Sequence, residues 1–527
     1  MKLNRLIVFA CLLVWLLPAT AQTPKKTANR GEIIYHIFQR SFYDSNGDLH
    51  GDLNGICQKL DYMQQLGITS ILLTPLYESA FYHNYFAANF EKIDPKYGTM
   101  SDYLKLIREI HRRGMKFYMD METQYVTEDS GWWKDAFGNP QSPYSDYILW
   151  DDKEHKKPST IVFNLAELKG YNGVTRKITT ANLNSEASKA YNLKLFSYWL
   201  DPNGDGRFDD GVDGFRLDHA MDDLDNKGRL PHLFQTFWNP LLAKLKAINP
   251  KITIVAEQAN WFSLGHEYLK NADVDGVFGL RLAFAIRSFD KKLLLANADS
   301  TLAMLPTGKQ QVVFIENHDV PRFSSAVKGN LAKLKAGAAF NLLMGGIPAI
   351  YYGQELGMTG TSANFGATDA NEIPDRQAFE WFKSDTGKGM ALWYKQTGQW
   401  KDQFNDDKPN DGISLEEEIN DPNSLWNYYR QMIAIRKENP AFVEGGYKTV
   451  NNDHEHVFSF IRKSAGQTIL VAVNLWDQEA EATVDANGKT RHVISDIQPV
   501  SKNGKLVISL PPFGVGAWQI DVAKPAK

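Results

Sequence analysis

The sequence predicts an α/β fold: a (β/α)8 TIM barrel with an inserted subdomain after strand three and an all-β C-terminal domain. Three observations carry this. Short apolar runs alternate with amphipathic segments from about residue 32 to about residue 438, eight times over, and eight β–α alternations favour a closed barrel over an open sheet. Two intervals in that repeat are too long for a connecting helix. Beyond Phe442 the pattern changes to strand-like runs separated by turn signals.

In chain order, the candidate strands are Ile33–Phe38, Ser70–Thr74, Met115–Asp120, Val212–Asp218, Ile252–Glu257, Val274–Gly279, Gln311–Asn317 and Ile347–Gly353. Between them, Ser101–Arg113 reads as a helix stopped by Gly114, where a terminating glycine belongs. Roughly 90 residues separate Asp120 from Val212, where one unit needs ~30. A helix over Glu186–Leu200 fills only part of this, so residues 126–185 are expected as the insert. Residues 360–422 form a second insertion after strand eight, polar but with Trp381, Trp393 and Trp400. The barrel is expected over 30–438. The tail, with runs at Phe458–Ile461, Ile469–Leu475 and Leu506–Leu510, is expected as a β-sandwich over 440–524.

The N-terminus has the form of a signal peptide, residues 1–21. Lys2 and Arg5 precede the apolar run Leu6–Leu17, and Ala19-Thr20-Ala21 supplies a cleavage site before Gln22. An uncleaved anchor is the alternative, but the run is short for a span and Pro18 interrupts its end. The expectation is an exported protein, periplasmic or extracellular, with no membrane span after cleavage. Cleavage leaves Cys57 as the one cysteine, so no intrachain disulfide is expected. With 58 Lys+Arg against 62 Asp+Glu, nothing draws the chain to nucleic acid or an anionic surface. Core packing accounts for most of the 12% aromatic residues, and any excess at loops suits sugar stacking.

Function in such a barrel sits at the C-terminal ends of the strands. Strand three ends in Asp120, four in Asp218, five in Glu257 and seven in His318-Asp319. One acid after a strand is commonly a helix N-cap, but four on one rim suit glycoside hydrolysis, which needs two carboxyls of opposite protonation. Arg216, two residues before Asp218, shares its strand face and favours the ionised nucleophile. Glu257 follows an apolar run with no cation beside it in sequence, so desolvation keeps its proton available to the leaving group. Asp319 and His318 are placed to hold sugar hydroxyls or an oxocarbenium-like transition state.

At these residues the chain resembles the α-amylase family of glycoside hydrolases, family thirteen. Gly214-Phe215-Arg216-Leu217-Asp218 resembles the nucleophile segment, Ala256-Glu257 the acid/base segment, and Phe314-Ile315-Glu316-Asn317-His318-Asp319 the segment carrying the transition-state-stabilising Asp. Tyr82-His83-Asn84-Tyr85 is similar to the loop whose Tyr stacks under the cleaved sugar. Tyr351-Tyr352-Gly353-Gln354-Glu355 is similar to the strand-eight ending, and Thr180–Asn184 to the inserted-domain motif. The resemblance implies an inserted domain B, a C-terminal sandwich, and retaining hydrolysis of α-glucosidic bonds, mainly α-1,4, in maltooligosaccharides or starch-like α-glucans. Catalysis then falls to Asp218, Glu257 and Asp319; substrate contacts fall to His83, Tyr85, Asp120, Tyr125, Arg216, His318 and Arg322.

The chain departs from the family pattern at several points. Gln124-Tyr125 replaces the Asn-His that follows strand three, and Met221-Asp222 replaces the Lys-His after the nucleophile. Phe86 stands where enzymes that clip single terminal units carry an Asp, while Arg322, expected as the partner of that Asp, is present. This points to longer substrates.

Two segments have the spacing of calcium loops, with oxygen ligands at alternate positions. The first comprises Asp44, Asn46, Asp48, His50 (through its carbonyl) and Asp52. The second comprises Asp201, Asn203, Asp205, Arg207 and Asp210. One or two structural Ca2+ ions are expected; an Asx-rich turn is the alternative. The alternative functions are an α-1,6-acting glucosidase or neopullulanase-like enzyme, an α-glucan transglycosylase, and a non-catalytic glycan-binding relative, which the intact acids disfavour.

Overall fold

The computed structural model describes residues 31–521 except 162, 164, 385, 396–409 and 496. The expected signal peptide, Trp400 and the last residues of the C-terminal range lie outside the described residues.

Eight parallel strands close a barrel in sequence order: β1 (Ile34–Ile37), β2 (Ser70–Leu73), β3 (Lys116–Met121), β4 (Gly214–Leu217), β5 (Thr253–Ala256), β6 (Gly276–Phe278), β7 (Gln310–Val313) and β8 (Ile347–Tyr351). Closure is made by β1, which pairs Ile34 with Ser70 on one side and Ala349 on the other. The strands are apolar on both faces because both are covered. Ile34, Leu72, Tyr118, Val255, Phe278 and Val312 fill the lumen, while Ile37, Leu73, Phe117 and Ile254 belong to the core under the helices. Each expected strand is present, seven of them one to three residues shorter and β3 shifted by one residue at the same length. Asp218 and Glu257 lie one step past their strands, yet their N–H groups still bond Met121 O and Leu217 O. That holds their backbone to the neighbouring strand and fixes where the side chains emerge.

The connecting helices follow local rules. Met100–Arg112 opens with a Thr99/Asp102 capping box and buries Tyr103, Leu106, Ile107 and Ile110. Gly114, at φ 70°, closes it, with Gly114 N–H on His111 O and Met115 N–H on Ile110 O. Glu186–Leu200 forms with the predicted bounds, capped by Ser185.

The insert does not stand alone. Tyr125–Thr127 pairs with Thr175–Thr180 and, through one parallel step, with Ala87–Ile93 from the β2 loop. Tyr77–Ser79 and Glu167–Lys169 complete a five-stranded sheet. The loops after β2 and β3 therefore build one wall. In the second insertion, Trp381 and Trp393 are buried, donating to Phe42 O and Ser41 Oγ; they pack rather than face substrate.

The tail forms two antiparallel sheets, of five and three strands. Val457, Leu470, Ala472 and Trp518 face the smaller sheet. The alternate residues Phe458, Phe460, Val471 and Val473 join the barrel's core instead. Among the described residues no helix is long and apolar enough to cross a membrane.

Candidate active site

Arg216 projects from β4 at the centre of the rim and gathers three carboxylates. Its Nη1 lies 2.6 Å from Asp120 Oδ2 and 2.5 Å from Asp218 Oδ1, and its Nη2 lies 2.8 Å from Glu257 Oε2. β3, β4 and β5 are consecutive in the barrel, so the ends of three neighbouring strands meet on one guanidinium. The sequence suggested that Arg216 would serve Asp218 alone; in space it contacts Glu257 as well.

Burial therefore decides more than the cation does. Asp218, 16% exposed, is pushed up to about 6 by burial, with Arg216 opposing and Asp120 adding to the rise. The expected lowering by Arg216 is outweighed. Glu257, 8% exposed, is pushed higher, to about 8, by burial against the pull of Arg216, with Asp218 and Asp319 raising it further. Hydrogen bonding between the two acids lowers Asp218 and raises Glu257. The ordering is the useful result: Asp218 ionises before Glu257.

Tyr85 Oη donates to Asp120 at 2.7 Å and meets His318 Nε2 at 2.6 Å, with the two rings stacked at 5.4 Å. Burial, Arg376 and Arg216 lower His318, so it is neutral and presents Nε2–H to the Tyr85 oxygen. His83, also lowered by burial, accepts the Tyr85 N–H on Nδ1. Asp319, 25% exposed, pairs with Arg376 at 3.2 Å. These groups line a pocket of about 470 Å³. Tyr125 lines it too, with its hydroxyl donated to Asp225 at 3.1 Å.

Arg322 is not in this pocket. It is 0% exposed, donates to Glu316 at 3.0 Å and to Tyr352 O at 2.5 Å, and lies against the Tyr351 and Tyr352 rings. Its expected place at the pocket is taken by Arg376, which donates to His318 O and Tyr82 Oη. Sequence reasoning also missed Glu122, Asp369, Phe163 and Trp261 on the pocket wall. Glu122, directly after β3, and Trp261, four residues past Glu257, were findable from strand-end positions; Asp369 and Phe163 sit in long loops without a period.

The two Asx-rich loops fold alike. Asp44 accepts the Asn46, Gly47 and Leu49 N–H groups, Asn46 accepts from Asp48, and Asp48 from His50. Asp201 accepts from Asp205 and Gly206, Asn203 from Asp205, and Asp205 from Arg207. The fifth position past the first Asp has positive φ in both, 68° at Leu49 and 77° at Gly206. Asp52 differs in role, capping the helix Leu53–Gln58. The His50 ring is held by Arg40, and Arg207 pairs with Asp209. Among the described residues no three Asp, Glu, His or Cys side chains converge as a metal-ligand group, so either loop suits a cation only with its Asn and main-chain oxygens included. The second loop precedes β4, at the end of the barrel opposite the pocket.

A barrel rim with buried, arginine-bridged acids of staggered proton affinity, opening on an aromatic-lined pocket, is the apparatus of a glycoside hydrolase. The family comparisons agree: Alpha amylase, catalytic domain, matches residues 36–445, and Maltogenic Amylase, C-terminal domain, matches 447–516. The chain belongs to the α-amylase family. It is 28% identical to Alpha-amylase 3 of Dictyoglomus thermophilum, covering 85% of each chain, and 26% identical to an oligo-1,6-glucosidase of Parageobacillus thermoglucosidasius, covering 84% of this chain and 89% of that one. The crystal structure of α-amylase from H. orenii superposes with a TM-score of 0.78 at 27% identity, over 94% of this chain and 100% of that one.

Proposed function

We propose that the protein hydrolyses α-glucosidic bonds, mainly α-1,4, in maltooligosaccharides or starch-like α-glucans, with retention. The observation that carries this is the pairing of Asp218 and Glu257 on adjacent nitrogens of Arg216. Two carboxyls held by one guanidinium suit the retaining separation of roughly 5–5.5 Å better than the roughly 6.5–9.5 Å that an inverting enzyme needs for its water.

Asp218 attacks the anomeric carbon as Glu257 gives its proton to the departing oxygen, forming a glycosyl-enzyme. Glu257, now ionised, takes a proton from the water that releases the sugar. Asp319 faces the developing positive charge, and Tyr85 supplies a ring for the sugar to rest on. Product analysis on maltooligosaccharides, pullulan and dextran, with early-time NMR, tests the reading. Expected are cleavage of the α-1,4 substrate and α-anomeric product; β-product means inversion and a wrong mechanism. The likeness to oligo-1,6-glucosidases sustains an α-1,6-acting enzyme as second reading, which release of glucose from dextran would favour.

Calcium in the loops at 44–52 and 201–210 is proposed on their oxygen-only donors and shared αL turn. An ion at ~100 times its dissociation constant adds roughly 2.7 kcal/mol of stability. Chelator should lower the melting temperature by several degrees and calcium restore it; unchanged melting with no calcium by elemental analysis leaves two ordinary Asx turns. Asp48→Ala and Asp205→Ala should each reduce the response to calcium while sparing turnover. For Asp205 this follows from its place on the far end of the barrel. Export is proposed on the signal-like N-terminus and is tested by sequencing the mature protein, which should begin at Gln22.

A further inference from the structure

The wall of the pocket holds three acids that this mechanism does not use, Glu122, Asp369 and Glu372, and Glu122 is the one beside Asp218. Glu122 follows β3, is 1% exposed and lines the pocket. Its backbone is tied to Tyr77, whose hydroxyl donates to Glu122 O. Its side chain is only half satisfied: Oε1 accepts the Gln124 N–H at 2.5 Å, and Oε2 has no hydrogen-bond partner. Burial, with Asp218 and Asp120 nearby, pushes the carboxyl well up, so it is a neutral acid able to donate.

A buried polar atom without a partner is costly and calls for an explanation. The neighbours that could share the task are engaged elsewhere. Tyr125 Oη donates to Asp225 and Gln124 Nε2 donates to Asp218 O. We propose that Glu122 Oε2 holds a hydroxyl of the glucosyl unit bound against Asp218, making Glu122 a specificity-determining residue. The inference rests on the glucosidase reading of the pocket.

Fluoride release from α-glucosyl fluoride and its 3-, 4- and 6-deoxy analogues tests it. The wild type should lose roughly tenfold or more in kcat/KM on one of the three. Glu122→Val should turn over the parent and that analogue at equal rates, having no contact left to lose. Glu122→Gln, which keeps a neutral donor, should retain the discrimination. A Glu122→Val enzyme that melts like the wild type and discriminates against the analogues as strongly overturns the inference. So, without any variant, does a wild type indifferent to all three. No fluoride from the parent overturns the functional reading, and this inference with it.

Discussion

Two arginines are buried at the same end of the barrel, and they do opposite things. Arg216 meets Asp120, Asp218 and Glu257, so one positive charge is shared among three acids and none is fully compensated. Arg322 meets one acid, Glu316, and two tyrosine rings. Its charge is balanced and sealed from solvent. An unbalanced buried cluster is tuned for chemistry; a balanced one holds loops in place. The backbone shows the same division, since Glu316 also takes the Phe323 N–H and so fastens the turn that follows Asp319.

The largest effect expected is on the Arg216 side. Asp218→Asn should abolish turnover while leaving fold and sugar binding intact, because the isosteric amide cannot form the glycosyl-enzyme; substantial residual hydrolysis removes Asp218 as nucleophile. Glu257→Gln should cost about 10²–10⁴-fold on poor leaving groups and far less on activated aryl glycosides. Equal losses on both would remove Glu257 as the acid. The contrast itself is tested by Arg322→Met, which strands Glu316 and should destabilise the fold by about 3–5 kcal/mol. Its KM, measured well below its melting temperature, should stay that of the wild type. A raised KM with unchanged melting would put Arg322 in the substrate site after all.

Smaller effects come from pH. On the proposed mechanism turnover needs Asp218 ionised and Glu257 protonated, so kcat/KM should rise through about 6 and fall through about 8. A profile flat across that window would mean that the two acids do not titrate as a staggered pair. Stability should respond with the opposite sign to that of an ordinary salt bridge. The folded-state value of Asp218 is raised above its unfolded one, so its contribution is complete below about pH 4 and is lost as pH climbs through about 6. Asp218→Asn should therefore melt above the wild type at pH 8 and closer to it at pH 4, by differential scanning calorimetry. The reverse order would mean that Arg216 stabilises the charge after all.

The barrel strands were legible because each is a short apolar run between turn signals, and Asp218, Glu257 and Asp319 because they end such runs. Arg322 misled for a local reason. It lies three residues past Asp319, but it is the N-cap of Phe323–Ala326, and the chain turns inward there. Arg376 and Asp369 were illegible because they sit in an insertion whose contacts, such as Arg376 with His318 and Tyr82, cross 58 and 294 residues. Glu257 was half legible: its raised proton affinity followed from the apolar run, but its cation comes from a neighbouring strand. The insert's shared sheet was hidden because its partner strand, Ala87–Ile93, belongs to another loop.

The all-β tail has its own inner core, yet it is clamped to the barrel. Arg462 reaches from that tail to Met344 O and Phe442 O, and Arg436 bonds Leu342 O, Gly346 O and Phe442 O, around the segment that feeds β8. The outer face of the five-stranded sheet is continuous with the barrel's apolar interior. Two family modules thus meet as one thermodynamic body. Heating should melt them in a single cooperative step, and cutting the chain near residue 446 would strip Arg462 from Met344 O and bare the apolar barrel surface on which the sheet packs.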